Sequence, residues 1–309
     1  MNKQGKKTSY AGFDLGGTQL KYGLIDEKGI IIFHAKVNTP EKMEDLLQLL
    51  KNLWKSLKKR EKKHIVSIGF GFPGIFSLKE QKIIQSPNYP SIDKFDLISA
   101  LSQFIEVSFF VDNDANMAAY GEYKLGSGQG AQSLILLTIG TGVGTGIILE
   151  GKVWHGACGF AGELGHATVN PDGERCKCGS QGCLETEVSA LKIVKNYKAL
   201  TKQNQNITAK QIFHRAKSGD AAARQAFTQA GRFLGIGISI AINLLNPEKV
   251  LLGGGVMKAG NLLLSSALEE AKKRSYKASF ECCTIEKATL GNRAGFIGAA
   301  FWAQEQYSK

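Results

Sequence analysis

Two stretches decide the fold class: Phe13-Asp-Leu-Gly-Gly-Thr-Gln-Leu-Lys-Tyr-Gly-Leu-Ile-Asp-Glu27 and, 124 residues further on, Leu137-Thr-Ile-Gly-Thr-Gly-Val-Gly-Thr-Gly-Ile-Ile-Leu-Glu-Gly151. Laid over one another, their apolar, glycine and acidic positions fall mostly in step. Each reads as strand, glycine turn, strand. One such hairpin would be an ordinary turn, but a second copy marks internal duplication. Adjacent glycines let backbone amides approach an anion, Thr18 adds a hydroxyl, and Asp14 at the strand end can orient a metal-bound water. Two phosphate-binding hairpins suit a nucleotide held in the cleft between two similar α/β domains. No Gly-Lys-Ser or Gly-Lys-Thr follows a spaced glycine, so a P-loop is not supported.

Downstream of the second hairpin runs Glu163-Leu-Gly-His-Ala-Thr-Val-Asn-Pro-Asp-Gly-Glu-Arg-Cys-Lys-Cys-Gly-Ser-Gln-Gly-Cys-Leu-Glu185. Cys176, Cys178 and Cys183, with His166 upstream, offer three thiolates and one imidazole, the donor set of a closed, structural zinc site. Gly173, Gly179 and Gly182 are expected at positive φ, wrapping a short chain round the ion. Disulfides are the alternative for clustered cysteines. The first residues are polar, without the apolar core of a signal peptide, so reduced thiols and a cytoplasmic location are expected.

Three further stretches border on chemistry. The strand from His64 to Phe70 runs into Gly69, Gly71 and Gly74, which fit the dinucleotide fingerprint by spacing. Pro73 and the irregular stretch beyond it rule out the helix that a Rossmann turn must open, so the match is coincidental. The apolar strand from Val107 to Asp112 leads into Asn113, Asp114 and a helix from Met117 to Leu125, where Asn and Asp most often cap the helix. Lys249 opens a buried strand that ends in Gly253, Gly254 and Gly255.

Composition sets the outer bounds. At 309 residues and 43% hydrophobic, with no apolar run long enough to span a bilayer, the chain reads as two globular domains off the membrane. Its formal net charge of +12 could advertise nucleic acid. Much of the excess sits in two runs, Lys3 to Lys7 and Lys55 to Lys63, and the second closes an amphipathic helix through Met43, Leu46, Leu50, Leu53 and Leu57, where cations are favourable. Nucleic acid is not an expected partner. Helices are expected over residues 187–199 and 208–218, then in a long one capped by Asp220 and ended near Asn246, with Gly231, Gly235 and Gly237 marking close packing. A last helix is expected over residues 294–306.

Glu-Leu-Gly-His followed by Cys-Lys-Cys-Gly-Ser-Gln-Gly-Cys-Leu-Glu resembles the signature of the ROK family of sugar kinases and repressors, within the actin, hexokinase and Hsp70 superfamily. The resemblance runs from Asp14 to about Ala300 with every motif in order. It implies two duplicated actin-like (ribonuclease H-like) α/β domains with an interdomain cleft and a zinc-binding loop. The expected division is 1–112, joined by the last helix, 294–309, and 113–293. In that resemblance Asp114 is the base; Gly74, Asn88, Asn113, Glu163, His166 and Glu185 bind the sugar; and Asp14, Gly16, Gly17, Thr18 and Lys21 form the first phosphate motif. Gly140, Thr141, Gly142 and Gly144 form the second, Gly253 to Gly255 pack on adenosine, and His166, Cys176, Cys178 and Cys183 hold zinc.

The implied activity is transfer of the γ-phosphoryl of MgATP to the 6-hydroxyl of glucose, by a homodimer in the cytoplasm. N-acetylmannosamine, N-acetylglucosamine and fructose kinases share the skeleton, and polyphosphate is an alternative donor. A sugar-responsive repressor is the reading from another class; only thirteen residues precede Asp14, fewer than a helix-turn-helix domain needs.

Overall fold

The computed structural model describes residues 8–60, 64–77, 80, 82–86, 93, 95–204 and 206–309, with the backbone alone for Ile75. The chain runs β1 (Thr8–Leu15), β2 (Gln19–Asp26), β3 (Ile31–Asn38), α1 (Met43–Arg60), β4 (His64–Phe72), β5 (Ile75–Ser77), β6 (Lys82–Gln85), α2 (Leu97–Ser102), β7 (Ser108–Asn113) and α3 (Asp114–Leu125). It continues through β8 (Leu134–Ile139), β9 (Val143–Leu149), β10 (Lys152–Val153), α4 (Leu184–Val188), α5 (Ala190–Thr201), α6 (Ala209–Lys217), α7 (Ala221–Leu245) and β11 (Lys249–Gly253). The last elements are α8 (Asn261–Arg274), α9 (Lys277–Glu281), β12 (Thr284–Lys287) and α10 (Ala294–Tyr307).

The duplication is carried by the sheets. One has the order β3-β2-β1-β4-β7 and the other β10-β9-β8-β11-β12. Counted along each half, both read third, second, first, fourth, fifth. In the first sheet β1 pairs antiparallel with β2 and parallel with β4, and β4 pairs parallel with β7. In the second, β11 is parallel to both β8 and β12.

Two compact units divide the chain: Met1–Gly130 with Gly146–Ala161 and Leu290–Lys309, and Ala131–Thr145 with Gly162–Thr289. The first therefore takes in α3 as well as α10, although the sequence reading places residue 113 onward in the second half. The reason is packing. Gly298 of α10 has no room for a Cβ, which would stand 1.7 Å from the carbonyl oxygen of Met117 in α3, and Gly121 returns the contact against Ala294.

In the first unit β1 is buried along nearly its whole length, as a central strand covered on both faces must be, whereas the edge strand β3 alternates half-buried and exposed. Ala11, Phe13 and Leu15 turn one way, into a core closed by Leu46, Leu50, Trp54 and Leu57 of α1. Each buried leucine or phenylalanine among them contributes roughly 1.5–3 kcal/mol by leaving water. On the opposite face α10 lies directly on the sheet: a Cβ at Gly12 would come 1.9 Å from the Phe296 carbonyl oxygen, and one at Gly69 1.8 Å from that of Ala299. The basic end of α1 has local work, since Lys58 pairs with Glu106 at 2.8 Å and the Arg60 guanidinium covers the Phe33 ring at 4.2 Å.

In the second unit α7 is the central helix. Gly231 and Gly235 let α8 approach, their Cβ positions lying 2.3 and 2.4 Å from the carbonyl oxygens of Leu263 and Ala267, while Gly237 makes room for Leu184 of α4. At 25 residues, α7 is long and apolar enough to cross a membrane by length and composition, which corrects the reading that the chain holds no such run. Its buried face, from Ala223 through Phe227, Leu234 and Ile238 to Ile242, belongs to the core of this unit. Asp220 caps α7 as expected, its carboxylate accepting from Ala223 N–H at 3.0 Å, and Asn246 ends it in the left-handed region at φ 43°. The helix expected over residues 187–199 is broken at Ser189, which caps α5 by accepting from Lys192 N–H.

Candidate active site and metal centre

The first glycine hairpin joins β1 to β2. Gly16 N–H donates to the Gln19 carbonyl at 3.0 Å, and the Thr39 hydroxyl donates to the Gly16 carbonyl at 2.7 Å, so the turn is fixed while Gly17 and Thr18 stay exposed. Asp14 and Lys21 face each other across the ladder, and Lys21 Nζ lies 2.8 Å from Asp14 Oδ2. Lys21 is thus bound first to the carboxylate of its own motif. Burial pushes the Asp14 carboxyl above its ordinary range, against the pull of Lys21. The first turn of α10 closes over it; a Cβ at Gly295 would stand 2.4 Å from Asp14 Cγ.

Two strands away β7 passes into α3 with no loop between. The cap belongs to Asn113, whose Oδ1 accepts from the N–H groups of Ala115 at 2.8 Å and Asn116 at 3.1 Å, while its Nδ2 donates to the Gly74 carbonyl at 2.8 Å. Both lone pairs of the amide oxygen are used, and among the described residues the second Nδ2 hydrogen has no partner. Asp114, the first helical residue, does not cap the helix. Its Oδ1 accepts from the adjacent Ala115 N–H at 2.9 Å. Burial first and the charge of Asp14 second push its carboxyl up to about 7. Gly71, in register with Asp14 on one side and Asp112 on the other, leaves the space Asp114 occupies, since a Cβ there would come 3.2 Å from Asp114 Cα. Gly71 and Gly295 were not legible as site residues because the signal is an absent side chain. Gly74 sits at φ 110° against the backbone of Gln85, and the chain continues from it into β5, not a helix, in keeping with the rejection of the dinucleotide fingerprint. Asn88 lies outside the described residues.

The second unit holds the other glycine hairpin, between β8 and β9. Gly140 N–H donates to the Gly142 carbonyl at 2.8 Å, and Val143 N–H donates to Glu185 Oε2 at 2.9 Å. Gly142 leaves room for that carboxylate: a Cβ there would stand 2.2 Å from Oε2, and the Glu185 side chain would have to shift away. Thr141 is exposed and the Gly144 carbonyl accepts from Thr138 Oγ1. Gly254, at φ 90°, packs on the Ile139 backbone at the head of the same hairpin, which brings Gly253 to Gly255 beside Gly140 to Gly144.

Glu163, His166 and Glu185 gather close by. His166 Nε2 lies 3.8 Å from Glu163 Oε2. Burial raises the Glu163 carboxyl, with His166 opposing and Glu185 adding to the rise. The other face of the imidazole meets the cysteines: Nδ1 is 3.6 Å from Cys176 Sγ, Cys178 Sγ is 3.6 Å from Cys183 Sγ, and the four donor atoms lie within 4.8 Å of one another. Four ligands on one tetrahedral ion with metal–sulfur bonds of ~2.3 Å would be ~3.8 Å apart, so the cluster can hold a metal with little movement. Gly179 and Gly182 take positive φ, 96° and 64°, as expected, but Gly173 does not. It is glycine for space, because a Cβ would meet Glu187 Oε1 at 2.5 Å and Gly182 Cα at 2.7 Å.

The ROK family model matches residues 10–306. The chain belongs to the ROK family. A glucokinase of Halalkalibacterium halodurans is 35% identical, the match covering 96% of this chain and 95% of the relative. A xylose repressor of Caldicellulosiruptor bescii is also 35% identical, covering 94% of this chain and 76% of the relative. Among solved structures, a ROK family glucokinase from Streptomyces griseus in complex with glucose and AMPPNP superposes with a TM-score of 0.84 at 31% identity, covering 96% of this chain and 99% of that one. The shared fold accounts for the paired sheets and glycine hairpins of this ROK chain.

Proposed function

We propose that this chain transfers the γ-phosphoryl group of ATP to the 6-hydroxyl of glucose, with Asp114 as the general base. The observation that carries the reading is the division of labour at the head of α3: Asn113 caps the helix, so the Asp114 carboxylate is not spent on the cap and titrates at about 7. A base poised near neutral pH combines the ionised form with adequate basicity. As the sugar oxygen attacks phosphorus, its proton passes to Asp114 and the bond from phosphorus to the leaving ADP oxygen breaks. Positioning and charge neutralisation supply most of the rest in phosphoryl transfer.

The exposed Gly17 and Thr18, with Gly140 to Gly144 and Gly253 to Gly255, are proposed to bind the nucleotide. Asp14 would hold the Mg²⁺ of MgATP through water, and that ion would neutralise charge on the phosphates. Glu163, His166, Glu185 and the remaining N–H of Asn113 are proposed to bind the other sugar hydroxyls. The thiolates of Cys176, Cys178 and Cys183 and Nδ1 of His166 suit a structural Zn²⁺, which would order the loop. With Nδ1 so engaged, His166 would carry its proton on Nε2 and offer that nitrogen as a donor. The same reading places the chain in the cytoplasm, where ATP and reduced thiols coexist, as a homodimer. Glucokinase relatives at full-length coverage support glucose. A coupled ADP-release assay over hexoses and N-acetylhexosamines, with ATP and polyphosphate as donors, is the test. Turnover confined to N-acetylmannosamine would replace the substrate, and sugar binding without turnover would favour a sensor like the repressor relatives.

A further inference from the structure

The turn that carries Asn113 and Asp114 is held from behind by Asp112, which is 2% exposed. Asp112 Oδ1 accepts from Asn113 N–H at 2.7 Å and from Asn116 Nδ2 at 2.9 Å. Its Oδ2 lies 2.6 Å from His155 Nε2. One buried carboxylate therefore receives two hydrogen bonds from the head of α3 and one from a histidine far along the chain. His155 follows β10, its carbonyl accepts from Ala161 N–H at 3.0 Å, and its ring lies 5.9 Å from that of Trp302.

We infer that His155 is a positioning residue for phosphoryl transfer, acting through Asp112 to hold Asn113 and Asp114 at the head of α3. The inference rests on the reading of Asp114 as the base. A buried carboxylate oxygen stripped of its donor bears the full cost of desolvation. Asp112 would then have to turn or take up a proton, and either change loosens its bonds to Asn113 and Asn116. Burial alone would lower the His155 pKa, but the hydrogen bond and charge of Asp112 outweigh it and lift the imidazole above the usual histidine range.

Three variants at this position test the link. His155→Phe keeps a ring beside Trp302 and removes the donor. His155→Gln carries an amide nitrogen to about the place of Nε2, and His155→Asn carries one that falls a bond short. The readouts are kcat, the sugar KM and hydrogen exchange of the amides from Asn113 to Met117. Displacing a catalytic group by a fraction of an ångström to 1 Å costs about tenfold to a hundredfold in rate, so the Phe and Asn variants should lose that in kcat, with a smaller rise in sugar KM through the loosened Asn113. Their amides should exchange faster, and the Gln variant should recover most of both. The inference is overturned if exchange is unchanged in the Phe and Asn variants, if Asn performs as well as Gln, or if kcat and KM worsen together without recovery in Gln. Should the wild-type chain turn over no sugar at all, the kinase reading fails separately, while exchange still decides whether His155 holds the turn.

Discussion

Glu185 Oε2 accepts a hydrogen bond from the Val143 backbone N–H at 2.9 Å, which fastens a residue expected to face the sugar to the second glycine hairpin. Losing a hydrogen bond to a charged group costs about 1.5–3 kcal/mol, or roughly tenfold to a hundredfold in affinity. Glu185→Ala should therefore raise KM for the sugar and for ATP together. Glu185→Gln keeps an acceptor for Val143 and should raise the sugar KM while leaving that for ATP within about threefold. Steady-state kinetics on the two variants separate the roles, and an unchanged ATP KM in the Ala variant would remove the tie from nucleotide binding.

Asp114→Asn should lower kcat by at least about a hundredfold, the low end of what general-base participation contributes. The wild-type kcat should fall as pH drops through about 7, where the Asp114 carboxyl takes up its proton, and this limb should be absent from the residual activity of the variant. Sugar affinity by calorimetry should change far less, because Asn113, not Asp114, holds the turn to Gly74.

The same substitution should raise stability at alkaline pH. Asp114 binds its proton more tightly in the folded chain than in the unfolded one, so the folded state loses relative stability as pH rises from the ordinary carboxylate range to about 7. Asn carries no such charge. Melting temperatures of wild type and Asp114→Asn should agree at pH 4 and diverge by a few degrees at pH 8, with the variant the higher. Equal values at pH 8 would mean that solvent reaches the carboxylate.

Cys178→Ser should lower metal content, melting temperature and sugar affinity together, since one ordered loop carries the donor cluster and His166, which faces Glu163. Metal analysis and calorimetry on the purified variant provide the check. Less than one bound zinc per chain with wild-type sugar affinity would break the coupling.

The parts legible in the sequence were those written in side chains or in repetition. The repeated hairpins gave the two sheets, the Asp220 cap gave the start of α7, and the cysteine and histidine spacing gave a cluster that closes in three dimensions. Spaces were harder to read. Gly71, Gly142 and Gly295 matter for what a methyl group would strike, and that depends on strands and helices brought together from distant parts of the chain. At the Asn113–Asp114 junction the sequence offered capping or catalysis for the pair. The fold assigns the cap to Asn113 because its oxygen, one residue earlier, reaches the N–H groups of Ala115 and Asn116.

The bare glycine face of the first sheet bears on how the protein is made. Gly12 and Gly69 are shaped to receive α10, which the ribosome delivers more than two hundred residues after β4. A nascent chain can fold from its N-terminus as it emerges, yet here β1 and β4 keep an uncovered surface until α10 leaves the exit tunnel. The unit that carries Asp14 and Asp114 is thus begun before the other and completed after it. Its assembly should be the step of synthesis most dependent on holdase chaperones.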